Sequence, residues 1–124
     1  MAQCCCGSNG VKLIYACSGA ANTGFLADSC ARKLMKEGHG KMTCLAAVGA
    51  DLSGFIESAK CALENIVIDG CPVACGKKIF DKLGLPHTHY ITTDFGVEKG
   101  KTVITEDIID SVADRLMDPA AKRQ

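Results

Sequence analysis

Apolar residues fall along the chain in short runs divided by longer amphipathic stretches. VKLIYAC, at 11–17, has the β-branched and aromatic content of a buried strand. After the small-residue loop SGAANTG, the stretch FLADSCARKLMKEG sets Leu26, Cys30, Ala31, Leu34 and Met35 on one helical face, with Gly38 as its stop. KMTCLAAV, at 41–48, reads as a second strand, 49–54 as a loop, and FIESAKCALE as a short helix. NIVIDG, at 65–70, is the clearest strand of all. Cys71-Pro72 predicts the opening of a helix that runs through Leu83, with proline where its missing N–H costs least. Behind the breaker GLP, HTHYITTD at 87–94 reads as a fourth strand. FGVEKGKT is a turn-rich connection with a brief extended piece at 102–104. Thr105 then caps a last helix whose first turn carries Glu106 and Asp107, and Asp118-Pro119 ends it.

That order, β-α-β-α-β-α-β-α with right-handed crossovers, predicts an α/β fold: a small three-layer α/β/α sandwich on a mainly parallel four-stranded sheet. Residues 1–10, MAQCCCGSNG, lack periodicity and read as a flexible Cys-rich leader, 11–118 as one domain, and 119–124 as a frayed tail. GFLADS and GFIESA echo each other faintly, as two strand–helix units built alike would.

Composition narrows the function classes. Lys plus Arg equals Asp plus Glu at 14 each, and there is no Trp, so the basic, aromatic footprint of a nucleic-acid binder is missing. No apolar run approaches the roughly 18 residues that span a bilayer, so no membrane partner is expected. The first ten residues have neither the basic nor the apolar region of a secretory signal. A cytoplasmic location follows as the expectation. There, nine cysteines are read as reduced thiols or metal ligands rather than a disulfide framework.

Cys17, Cys44 and Cys71 recur at an interval of 27 residues, about one strand–helix unit, and Cys75 follows four residues later. Each of the three ends an apolar run. On a parallel sheet they gather at the carboxyl ends of the strands, the edge where open α/β sheets bind ligands. Cys71 and Cys75, at i and i+4, are expected on one face of a helix's first turn, where the dipole favours thiolates. Four soft thiolates suit tetrahedral zinc, with an iron–sulfur cluster as the alternative cofactor. A single strand cysteine is ordinarily apolar filler, so the alignment of four carries the metal reading. Cys30 and Cys61 are expected to pack. Cys4, Cys5 and Cys6 are adjacent and cannot comfortably share one ion.

Other polar residues are weaker candidates. His87 and His89 alternate on one face at the amino end of their strand, and are expected at the surface on the edge opposite the cysteines. Thr92, Thr93 and Asp94 lie at the correct end. Asp94 and Asp69 either hydrogen-bond near the site or begin turns. The loop from Ser18 to Gly24 offers backbone N–H groups to an anion. A Cys-headed phosphate loop needs arginine six residues on, where this chain has Thr23; the first arginine is Arg32. Phosphatase and arsenate-reductase chemistry are therefore excluded. There is no GxGxxG and no P-loop lysine to support nucleotide binding.

With DGCPVACGKK reached, the chain resembles the DGC-domain proteins, small prokaryotic proteins described as zinc-binding. The resemblance runs over about 12–112. IYACSGAANTGFLAD, CLAAVGADLSGFIESAK and IDGCPVACGKK match its first three motifs, and ITTDFGVEKGK its later segment. It implies a metal ion as partner and Cys17, Cys44, Cys71 and Cys75 as ligands, in a structural, carrier or sensing role. A thiol-based enzyme or redox protein using the same cysteines stays open, as does an interaction module stabilised by its metal.

Overall fold

Alternation along Lys12–Ala16 (β1) sends Leu13 and Tyr15 to one face and Ile14 and Ala16 to the other, and all four are buried. A strand apolar on both faces must be covered on both. In the computed structural model, which describes residues 10–118, that is what the helices do. The chain continues through Asn22–Lys36 (α1), Lys41–Met42 (β2), Leu45–Gly49 (α2), Ser53–Cys61 (α3) and Glu64–Asp69 (β3). It then forms Cys75–Leu83 (α4), Thr88–Ile91 (β4), a 3-10 turn at Thr92–Phe95, and Glu106–Leu116 (α5). All strands are parallel, in the order β2-β1-β3-β4. Leu26, Cys30 and Leu34 of α1 and Ile109, Val112 and Leu116 of α5 pack on Ile14, Ile66 and Ile68. Leu45 and Val48 of α2, Ala59 of α3 and Phe80 of α4 pack on Leu13, Tyr15 and Val67. The three-layer α/β architecture is therefore as expected.

The topology creates a crevice. From β1 the chain moves outward to β2, then back past β1 to β3 and on to β4. Right-handed crossovers made in opposite directions place α1 on one face and α2, α3 and α4 on the other. The loops leaving β1 and β3 diverge to opposite faces, and the gap between their carboxyl ends is the switch point of the sheet. Gly70 closes its floor. A Cβ there would stand 2.6 Å from the Thr23 carbonyl carbon and oxygen and 2.7 Å from the Gly24 nitrogen.

The elements depart from the sequence expectation in several places; the fourth strand, for one, ends at Ile91 and gives way to the 3-10 turn instead of running to Asp94. The second strand is shorter than 41–48: Thr43 N–H donates to the Ile14 carbonyl at 2.9 Å, and from Leu45 the chain is helical. Leu45 and Val48 bury at i and i+3, and Ala46 and Ala47 favour a helix, so Cys44 precedes a helix instead of ending a strand. The helix after β3 begins at Cys75, not at Cys71-Pro72. Cys71 to Ala74 form a turn closed by Ala74 N–H on the Cys71 carbonyl (3.0 Å), with Ala74 left-handed at φ 54°. Cys71 and Cys75 therefore do not share a helical turn. The segment 102–104 forms no strand.

The start of α4 is set by a distant side chain. Asp69, 1% exposed, accepts from Gly76 N–H (2.8 Å) and Lys77 N–H (3.1 Å), two donors that a helix N-terminus leaves unpaired. Its Oδ2 lies 2.7 Å from His89 Nε2, which must carry the proton because an ionised carboxylate only accepts. Both histidines are half-buried rather than at the surface as expected; His89 is drawn to Asp69, while His87 keeps its expected place at the amino edge of the sheet, in a hollow shared with Glu64 and Asn65. β4 pairs His89 with Val67, so its ring lies on the same face as Asp69 two residues further along β3. His87 is likewise half-buried, its ring 5.4 Å from that of Phe80. Burial pushes the Asp69 carboxyl up, but the hydrogen bonds from His89, Gly76 and Lys77 outweigh it and hold the group below the ordinary carboxylate value.

Two predictions follow from these contacts. Gly70→Ala should destabilise the protein by about 1–3 kcal/mol, because its methyl must displace backbone rather than a side chain; a lower urea midpoint at unchanged slope would show it, and an unchanged midpoint would refute it. A depressed Asp69 stabilises the fold above the unfolded carboxylate value of about 4, and that stability is lost as pH falls through the lower folded value. Asp69→Ala should cost about 1–3 kcal/mol at neutral pH by orphaning buried donors, and should flatten the acid limb of the stability profile. Parallel acid limbs in variant and parent would remove Asp69 as the cause.

Candidate functional site

Residues far apart in sequence meet at the switch point. Cys17 lies one residue beyond β1, held by its N–H on the Ile68 carbonyl (3.1 Å), and its Sγ accepts from Gly70 N–H at 3.3 Å. Cys44 is the exposed residue before α2, and Cys75 the exposed first residue of α4. Cys17, Cys44 and Cys75 line one cleft of about 640 Å³. Its walls are largely apolar, with Met35, Met42, Leu45 and Ile79. Its polar rim is Asp28, which accepts from Ser18 Oγ at 2.9 Å and from Arg32 Nε at 2.7 Å. Arg32, too late in the chain to serve a phosphate loop, still reaches the cleft one helical turn beyond Asp28 on α1.

Cys71 follows the same strand edge but is not among the residues lining that cleft. It is half-buried in the turn after β3, and its Sγ accepts from Lys99 Nζ at 3.4 Å. Asn22 brings Lys99 there. Its side chain donates to the Glu98 and Thr102 carbonyls (3.0 and 2.8 Å) and accepts from Gly100 N–H (2.7 Å), lashing the 98–102 loop to the first turn of α1. Ligation geometry is not yet made: among the described residues, no three His, Cys, Asp or Glu side chains are arranged to hold one ion. The donor set itself is right for a soft cation, since the free thiols are the chemically soft groups of the edge and Asp28 is already occupied.

The remaining candidates resolve differently. Cys30 is core, with Sγ 3.9 Å from the Ile109 carbonyl; burial pushes its thiol up to about 12 against the lowering influence of Lys33, so it stays protonated. Cys61 is not a packed thiol but is disulfide-bonded. Cys4, Cys5 and Cys6 lie outside the described residues. Thr92 is structural, its hydroxyl donating to the Gly70 carbonyl at 2.9 Å and fixing β4 to the turn that carries Cys71. Asp94 is exposed on the 3-10 turn. Among the described residues no helix is long and apolar enough to cross a membrane. Sequence reasoning missed Lys99 as part of the site and read Asn22 only as a residue of an anion-facing loop, not as the side chain that docks the Lys99 loop. The signal for Lys99 was the turn-rich FGVEKGK segment, whose glycines mark a loop but not where it docks.

The chain matches the family model described as DGC domain over residues 13–116. It is 30% identical over 119 residues to a Pseudomonas aeruginosa protein named anaerobic and virulence modulator AnvM, covering 92% of this chain and 91% of that one. No solved structure matches. In extent and in the order of its motifs, this chain belongs to the DGC domain family.

Proposed function

We propose that this protein binds a metal ion through cysteine thiolates at the carboxyl edge of its sheet, with Cys17, Cys44, Cys71 and Cys75 as ligands and zinc as the ion. One observation carries the reading: thiols from three separate strand–helix connections, Cys17, Cys44 and Cys75, line a single cleft. Cys71 stands next to Gly70, whose N–H donates to Cys17 Sγ, so the turn that carries it adjoins the cleft. Four thiolates around a dication leave net negative charge. The Gly70 N–H and the Lys99 ammonium are the groups placed to offset it. Zinc bound by four thiolates has no open position for water, which favours carriage or sensing over hydrolysis. Membership of the family supports metal binding, and the name of the Pseudomonas relative, a modulator, supports a regulatory role.

Lys99 beside Cys71 favours a second reading, in which these thiols do chemistry themselves or hold an iron–sulfur cluster. Elemental analysis of protein purified anaerobically without a histidine tag separates the two. About one zinc per chain is expected, lost on Cys17→Ser or Cys44→Ser. Iron with sulfide and visible absorption would replace zinc by a cluster. No metal, together with rapid alkylation at Cys71, would sink the metal reading and leave thiol chemistry.

A further inference from the structure

We infer that the cleft as folded selects a soft monovalent ion, Cu(I), and that the thioethers of Met35 and Met42 contribute to this choice, whereas zinc depends on Cys71. The inference rests on the metal reading above and refines which ion the site prefers.

Three facts about the cleft lead to it. Its lining is rich in sulfur: besides Cys17, Cys44 and Cys75 it includes Met35, near the end of α1, and Met42, the last residue of the short strand β2. Met42 N–H donates to Met35 Sδ at 3.3 Å, which fixes one thioether at the cleft wall. Met35 is 41% exposed, a surface position that core packing does not explain.

Hard donors are scarce there. Among the described residues, the sole carboxylate lining the cleft is Asp28, whose two oxygens are committed to Ser18 and Arg32, and no histidine lines it. Thiolate and thioether ligands without imidazole or carboxylate favour Cu(I) over harder divalent ions.

The third fact is geometric. No group of three or more His, Cys, Asp or Glu side chains among the described residues is arranged to hold an ion, so neither a four-thiolate nor a three-thiolate shell is preformed, and an ion satisfied by two sulfurs is favoured over one that needs four. Cu(I) is content with two or three sulfurs and can draw thioethers into its shell. To complete four thiolates, zinc must recruit Cys71 from outside the cleft. Cys71 thus separates the two ions.

The test is a pair of anaerobic competition titrations on reduced full-length protein. Cu(I) is titrated against a chromogenic Cu(I) chelator and zinc against a zinc-responsive dye, for the parent, Cys71→Ser, and the double variant Met35→Leu/Met42→Leu. Leucine conserves the volume of methionine and removes only the sulfur. The double variant should weaken Cu(I) by about tenfold and leave zinc unchanged, whereas Cys71→Ser should weaken zinc by at least about tenfold and Cu(I) far less. Equal Cu(I) affinity in parent and double variant would overturn the role of the thioethers. A Cys71→Ser loss as large for Cu(I) as for zinc would overturn the selection. A protein that binds neither ion would overturn the metal reading itself. Copper X-ray absorption on the Cu(I)-loaded parent requires no variant to fold: a shell of sulfur alone supports the inference, and nitrogen or oxygen neighbours refute it.

Discussion

A buried carboxylate organises the functional edge of this protein. Asp69 stands at the end of the central strand β3 with almost no solvent contact, where an ionised group is tolerated only if hydrogen bonds replace its water. Gly76, Lys77 and His89 supply them. In doing so they fix where α4 begins, and hence where Cys75 stands. They also tie β4 to β3 beyond the backbone ladder, because His89 reaches across from the neighbouring strand. Gly76 shows how tight the arrangement is: a Cβ there would lie 2.7 Å from Val67 Cγ1 and 3.0 Å from Asp69 Oδ1. The Asp of the Asp-Gly-Cys sequence is thus the anchor of the turn, the Gly its point of closest packing, and the Cys the thiol it displays.

From that anchor the site is assembled by contacts between connections rather than within any element. Gly70 N–H meets Cys17 Sγ, and Thr92 Oγ1 meets the Gly70 carbonyl. Asn22 holds the loop that brings Lys99 to Cys71. The crevice between β1 and β3 exists because successive crossovers go to opposite faces. Backbone packs so closely at its floor, Gly70 against Thr23 and Gly24, that thiol placement is tied to the core. Change at the thiols is therefore left to the turn at 71–74 and to the exposed starts of α2 and α4, which carry Cys71, Cys44 and Cys75.

Much of the architecture was legible in local pattern. The run at 65–70, the amphipathic face of α1 and the Thr105 cap, whose hydroxyl accepts from Ile108 N–H, each depend on residues a few positions apart. Short-range periodicity records them directly. The parallel sheet, and with it the expectation of thiols beyond strand ends, followed from the same pattern joined to the handedness of crossovers.

The sequence by itself thus determined the layers, the longer elements and the edge on which the cysteines stand, because burial of alternating or helical faces is a local demand. Only the tertiary structure decided the rest. Cys44 heads a helix because Leu45 and Val48 find a shared core against Leu13 and Tyr15. α4 starts at Cys75 because a carboxylate on another element takes its first N–H groups. His89 faces Asp69 because strand register, not position along the chain, sets which rings lie level. Lys99 and the two methionines reached the thiols through loop docking and a strand only two residues long. These are long-range contacts, and a chain specifies them only when its backbone has closed around a core.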